Sequence, residues 1–81
     1  MAKVLLFGRL ADVAGWRERT IEPSPASLYA LRDLIGAEDA RLAEALAGSG
    51  VRAAVDKALV RGDAALPPGA EVAFLPPMSG G

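Results

Sequence analysis

The chain contains no cysteine and no histidine, and asparagine and glutamine are missing as well. Without cysteine there is no disulfide, no thiolate nucleophile and no thiolate ligand for a metal. Without histidine the Cys–His and Ser–His–Asp arrangements and the usual zinc ligand sets are also excluded. An enzyme complete in itself would have to work with carboxylates alone. Asp12, Asp33, Glu38 and Asp39 read as ordinary helix-surface or capping residues, with no sign of a paired site. The expectation is a chain that is not an enzyme on its own and binds no metal or cofactor. Loss of thermolabile side chains is also a trait of thermophiles, although only 23% of residues are charged.

Charge of one sign is lacking too. Nine Lys and Arg stand against ten Asp and Glu, for a net charge of −1, and the basic residues are scattered rather than striped. A nucleic-acid binder would be expected to show a basic face. No apolar run approaches the ~20 residues that span a bilayer. Met1-Ala2-Lys3-Val4 passes into a strand pattern without a small-residue cleavage site, so no signal peptide and a cytoplasmic location are expected. What is present is apolar content, 52% of 81 residues. That length suits one domain. A chain this short buries only about 60% of its unfolded surface, so its stability must come from that core.

Residues 3–8 read as a strand with Val4 and Leu6 on one face and Leu5 and Phe7 on the other, which predicts a central strand covered, at least in part, on both sides. Residues 9–14 suit a short helix closed by Gly15, with Leu10, Val13 and Ala14 on one face. Residues 16–22 read as a more polar strand near an edge. Ser24, before Pro25, and Ser27 are both candidate caps for the next helix. Its stripe is Leu28, Leu31, Leu34 and Ile35, and Gly36 can supply the stop. Residues 38–47 suit a second helix, with Leu42 and Leu46 four apart. Strands are expected at 51–55, 58–60 and 71–75, with turn chemistry across 61–70. Strands grouped around a helical segment predict an α+β fold. A mixed sheet packed on one main helix, with short extra helices and the first and last strands adjacent, is the β-grasp (ubiquitin-like) arrangement.

The end of the chain carries the chemical signal. Residues 1–75 read as the β-grasp domain and 76–81 as a functional tail. Pro76 and Pro77 lack donors and stop strand pairing. Met78-Ser79-Gly80-Gly81 follow, a poor continuation of a sheet. These six residues reach roughly 20 Å when extended, against a body radius of about 12 Å. Such a tail can enter a partner's pocket while the body stays outside. Two terminal glycines arise by chance in about one chain in 200, so the pair is informative through its context: a strand, then a Pro-Pro stop. With no Cβ, the backbone of Gly80 and Gly81 can pass close to a narrow wall. The Gly81 carboxylate is a poor electrophile until ATP converts it to an acyl-adenylate. A sulfur nucleophile can then displace AMP and leave a thiocarboxylate, and no cysteine is present to intercept it.

VAFLPPMSGG, residues 72–81, resembles the C-terminal signature of molybdopterin synthase small subunits. KVLLFGRLADVAG, residues 3–15, resembles their first strand and short helix. The segment from Val51 to Val60 and Gly69-Ala70-Glu71 follow their pattern as well, so the resemblance covers the chain. Asp56 departs from their usual Asn, and Ala70 from a common acidic residue. The resemblance implies that Gly81 is adenylated by a ubiquitin-activating-like adenylyltransferase, which uses ATP, and is then thiocarboxylated from a sulfur donor enzyme. It further implies docking on the large, catalytic synthase subunit and sulfur transfer to cyclic pyranopterin monophosphate, two transfers building the dithiolene of molybdopterin. Related carriers serve thiamine synthesis, tRNA thiolation or protein conjugation and also end in Gly-Gly. A β-grasp interaction module with an inert tail is the alternative of another class.

Ordering four tail residues costs on the order of 4–8 kcal/mol, so the body should offer a docking surface. Leu5 or Phe7, Leu59 and Leu75 are expected to form an exposed apolar patch. Leu59, Leu75, Pro76, Pro77, Met78 and Ser79 are the candidate partner-binding residues. The competing reading closes the patch into a small second core under the 61–70 loop, and Phe7 in particular reads as core. Arg9 and Arg61 are candidates for the rim, each equally readable as a solvated side chain.

Overall fold

A computed structural model describes residues 1–77. Met78, Ser79, Gly80 and Gly81 lie outside the described residues. Five strands and three helices follow in the order β1 (Ala2–Leu6), α1 (Arg9–Ala14), β2 (Glu18–Ile21), α2 (Leu28–Glu38), α3 (Ala40–Leu46), β3 (Arg52–Val55), β4 (Ala58–Val60) and β5 (Glu71–Leu75). The strands form one mixed sheet in the order β2-β1-β5-β3-β4. β1 and β5 run parallel, and the other pairs are antiparallel. First and last strands are therefore neighbours at the centre, in the expected α+β, β-grasp arrangement.

Alternation along the strands sends Ala2, Val4 and Leu6 of β1, and Val72 and Phe74 of β5, into one core with Leu28, Leu31 and Ile35 of α2 and Leu42 and Leu46 of α3. Fully burying each large aliphatic side chain there contributes about 1.5–3 kcal/mol. The 61–70 segment is more than a connection, because Leu66 is buried in this core and Ala64 packs against it.

The helix ends follow from local chemistry. Ser27, not Ser24, caps α2: its backbone is extended and its Oγ accepts from the Ala30 N–H at 3.1 Å. Ser24 instead points its hydroxyl at the Pro25 carbonyl, 3.4 Å away. A second free N–H of the first turn, that of Tyr29, donates to Asp63 Oδ1 at 2.9 Å, which ties the 61–70 segment to α2. Asp39 caps α3, accepting from Arg41 and Leu42.

Three expectations are corrected. α2 does not stop at Gly36 but continues to Glu38 and ends at the extended Asp39. Gly36 serves the contact between helices, since a Cβ there would lie 3.0 Å from the Ala43 Cβ. Leu34 leaves the buried stripe and is exposed, while Leu28, Leu31 and Ile35 are buried. β1 is central in the sheet yet covered on one side only: Leu5 is half-buried and Phe7 is 45% exposed. Phe7 is thus not core.

Candidate docking face and tail base

Strand register decides which side chains share the uncovered face. Leu5 pairs with Ala73, Ala73 with Ala54, and Ala54 with Leu59. Four strands thereby contribute to one row across the sheet. Alternation puts Leu75 and Arg52, which pair with each other, on the same face in the next row. The Phe7 N–H donates to the Phe74 carbonyl at 3.2 Å, so Phe7 stays in the pleat on the side of Leu5 and Leu75. Ala54 is buried yet stands apart from the helix-side core.

Leu59 is 60% exposed, and Leu5 and Leu75 are half-buried. Leu59 and Leu75 are thus brought to one surface with Leu5 and Phe7, and among the described residues no second core closes over Leu59 or Phe7. An apolar surface rimmed by charge is the usual form of a protein docking site. The rim carries the Lys3–Glu18 ion pair at 3.6 Å on one side and Arg52 with Arg61 towards the β4 edge. Arg9 sits elsewhere, at the start of α1.

The tail leaves from the middle of the sheet. β5 lies between β1 and β3, so its end is held on both sides. Pro76 and Pro77 follow, and two glycines from separate loops receive them. A Cβ on Gly8 would lie 3.0 Å from Pro76 Cγ, and one on Gly50 would lie 2.9 Å from Pro77 Cβ. Both glycines have positive φ, +54° and +86°. Gly8, with ψ −132°, occupies a region that side chains exclude. Each position therefore requires glycine twice, for its backbone and for the proline against it. Neither glycine stood out in the sequence, where Gly8 only bounds a strand and Gly50 only follows a helix. Beside the prolines, a groove of about 690 Å³ runs between α1 and α3. Arg9 and Arg41 balance Asp12 and Glu44 along it.

The turn between β3 and β4 gives Asp56 a defined role. Asp56 and Lys57 both have positive φ, 49° and 71°, as a two-residue type I′ hairpin requires. The Asp56 carboxylate accepts from the Glu71 N–H at 2.9 Å, and the Asp56 N–H donates to the Glu71 carbonyl at 2.8 Å. The hairpin is thereby pinned to the start of β5, and the departure from Asn keeps the acceptor. Ala70 is buried, so an acidic side chain would not suit its place here.

Among the described residues no group of carboxylates is placed to hold a metal ion, and no helix is long and apolar enough to cross a membrane.

Comparison with known proteins agrees with this arrangement. The chain is 37% identical to the molybdopterin synthase sulfur carrier subunit of Escherichia coli (strain K12) over 81 residues, the whole of both chains. The solved structure of a putative molybdopterin converting factor, subunit 1, from Pyrococcus furiosus is similar with a TM-score of 0.79 at 31% identity, covering 95% of this chain and 97% of that one. SAMP1 from Haloferax volcanii shares the fold with a TM-score of 0.85 at 24% identity, over 99% and 98% of the two chains. The ThiS family matches residues 4–81, and the chain belongs to that family.

Proposed function

We propose that this chain is the sulfur-carrying subunit of a molybdopterin synthase, with the Gly81 carboxylate as the group that carries sulfur. The observation that carries the reading is the 37% identity with the Escherichia coli sulfur carrier subunit over the whole of both chains. The seated Pro76-Pro77 at the exit of a central strand supports it.

In this reading an adenylyltransferase resembling ubiquitin-activating enzymes binds ATP, which this chain does not. The Gly81 carboxylate attacks the α-phosphate and pyrophosphate leaves. Hydrosulfide delivered by a sulfur donor enzyme adds to the acyl-adenylate carbonyl. AMP departs, and the oxygen it takes is replaced by sulfur. The chain then docks on the large, catalytic synthase subunit through Leu59, Leu75 and the neighbouring apolar face. Pro76, Pro77, Met78 and Ser79 lie along its entry channel, and Gly80 gives the close passage there. Sulfur passes to cyclic pyranopterin monophosphate and oxygen from water restores the carboxylate. A second loaded copy supplies the second sulfur of the dithiolene. Catalytic groups belong to the partner, and the complex works in the cytoplasm.

The test is the intact mass of the purified chain after incubation with ATP, an activating enzyme and a sulfur donor. A gain equal to exchange of one oxygen for sulfur, absent when Gly80-Gly81 are deleted, supports the carrier. Loaded chain that then converts the pterin only with the large subunit places it in this branch. Loading followed instead by transfer to a thiamine precursor, to tRNA or to lysines of a protein would move it to a related branch. No loading with any activating enzyme leaves an interaction module.

A further inference from the structure

A loop borders the end of β5 on each side. β1 runs parallel to β5, so the chain leaving β1 passes that end, and β3 runs antiparallel, so the chain entering β3 passes it too. Gly8 lies in the first loop and Gly50 in the second. Gly8 faces Pro76 and Gly50 faces Pro77.

The pairing is selective. Gly8, Gly15, Gly50, Gly62 and Gly69 all have positive φ. A Cβ at Gly15 or Gly69 would meet nothing within 4 Å, and one at Gly62 would stand 3.7 Å from the Tyr29 hydroxyl. Among these five, only Gly8 and Gly50 would bring a Cβ to 3.0 Å or less from another residue, and in both cases that residue is a proline at the base of the tail. Both loops are themselves held. The Gly8 carbonyl accepts from the Ala11 and Asp12 N–H groups at 3.1 and 3.3 Å, and the Gly48 carbonyl accepts from the Val51 N–H at 3.4 Å. Pro76 is half-buried and Pro77 exposed, so an added Cβ at Gly50 would displace the proline rather than the loop.

The prolines bring stiffness of their own. Each ring fixes φ at about −65°, and Leu75 and Pro76, which precede them, are confined to extended backbone. The two loops continue β1, which carries Leu5, and β3, which carries Ala54. A base seated against both is fixed relative to the uncovered sheet face.

We propose that Gly8 and Gly50 are positioning residues for sulfur transfer, seating Pro76 and Pro77 so that the chain end starts from a fixed point and heading beside the docking face. The proposal rests on the sulfur-carrier reading and adds to it how the end is aimed. A partner that grips the face then finds the base of the tail already at its channel mouth, and fewer residues have to be ordered on entry. The glycines act only through the prolines. Unseating Pro77 returns about one residue's backbone freedom, which weakens entry about tenfold.

The first part of the test uses the full chain alone. Carbon-13 relaxation at the Pro77 α-carbon is measured in the wild type, in Gly50→Ala and in Gly15→Ala, a control for strain without contact. Each variant is checked for a native amide spectrum. Order parameters of about 0.85 are expected in the wild type and in Gly15→Ala, falling below about 0.6 in Gly50→Ala. A loose Pro77 in the wild type, or an equally rigid one in Gly50→Ala, overturns the proposal.

The second part follows sulfur loading by an activating enzyme as the carrier concentration is varied. Gly50→Ala should raise KM about tenfold and leave kcat within about twofold, with Gly15→Ala unchanged. Pro77→Gly should behave like Gly50→Ala, and the two together should lose little more than either. If Gly50→Ala does not fold, Pro77→Gly carries both measurements. A chain lacking residues 78–81 serves as a competitive inhibitor, and its inhibition constant should be the same with and without Gly50→Ala. An inhibitor weakened as much as the substrate would make Gly50 a structural residue only and overturn the proposal, as would an unchanged KM. Wild-type chain that never gains sulfur sinks the carrier reading and this proposal with it. Wild-type loading with an unaffected Gly50→Ala sinks this proposal alone.

Discussion

Pro77 packs against Gly50 so closely that a β-carbon at position 50 would lie 2.9 Å from the Pro77 Cβ. Gly15 has a similar positive φ, 81°, but open space where its side chain would be. The two positions separate backbone strain from contact. Gly15→Ala should cost about 1 kcal/mol from strain alone. Gly50→Ala should cost about 1 kcal/mol more, from overlap with the proline. Urea unfolding of both, and of Gly50→Ala with Pro77→Gly, measured against Pro77→Gly alone, checks this. The paired change should recover the extra loss, and equal midpoints for the two single variants would show that the proline has no fixed seat.

Lys57 adopts a φ that a side chain makes costly, and it hydrogen-bonds nothing in compensation among the described residues. Lys57→Gly is expected to stabilise the fold by about 0.5–1 kcal/mol, because a type I′ turn favours glycine at its second central position. Asp56→Ala should act the other way. It leaves the Glu71 N–H without its carboxylate acceptor, at a cost of about 1–2 kcal/mol. Thermal melts of the two variants should move in opposite directions.

Leu31 and Leu59 are the same residue in opposite environments, 0% and 60% exposed. Leu31→Ala should lose about 2–5 kcal/mol of stability. Leu59→Ala should change stability by about 0.5 kcal/mol or less, yet weaken association with a large synthase subunit. Calorimetric titration beside a melting curve reads both. Unchanged affinity for the Leu59 variant would remove that face from the docking interface.

Removing Gly80 and Gly81 should leave the unfolding midpoint where it is, since chain ends contribute little to stability. It should abolish sulfur loading altogether. A shortened chain that still gains sulfur would show that the glycine pair is not required for loading.

Much of this fold was legible in the sequence because its signals are local. The six residues of α1, the three of β4 and the five of β5 lie where periodicity and turn residues put them. Ser27 could be read as a cap because its acceptor and the N–H it satisfies are three residues apart. Other elements shifted at their ends: β1 begins at Ala2 and stops at Leu6, and β2 is only Glu18–Ile21. Both are bounded by where a partner strand is available, which no local pattern records. Phe7 was misread for a related reason. An apolar residue on each face suggests cover on each face, but all three helices supply their core residues to one side of the sheet.

By itself the sequence determined the class of fold and the kind of chemistry to expect. Hydrophobic period, caps and turns act over a few residues, and the missing cysteine and histidine remove most catalytic options outright. Only the tertiary structure decided what the glycines at 8, 36 and 50 are for, because an absent β-carbon does not say which distant atom occupies its place. It also decided that Leu5, Phe7, Leu59 and Leu75 share one uncovered face. Those residues are far apart along the chain, and the register of β1, β5, β3 and β4 brings them together.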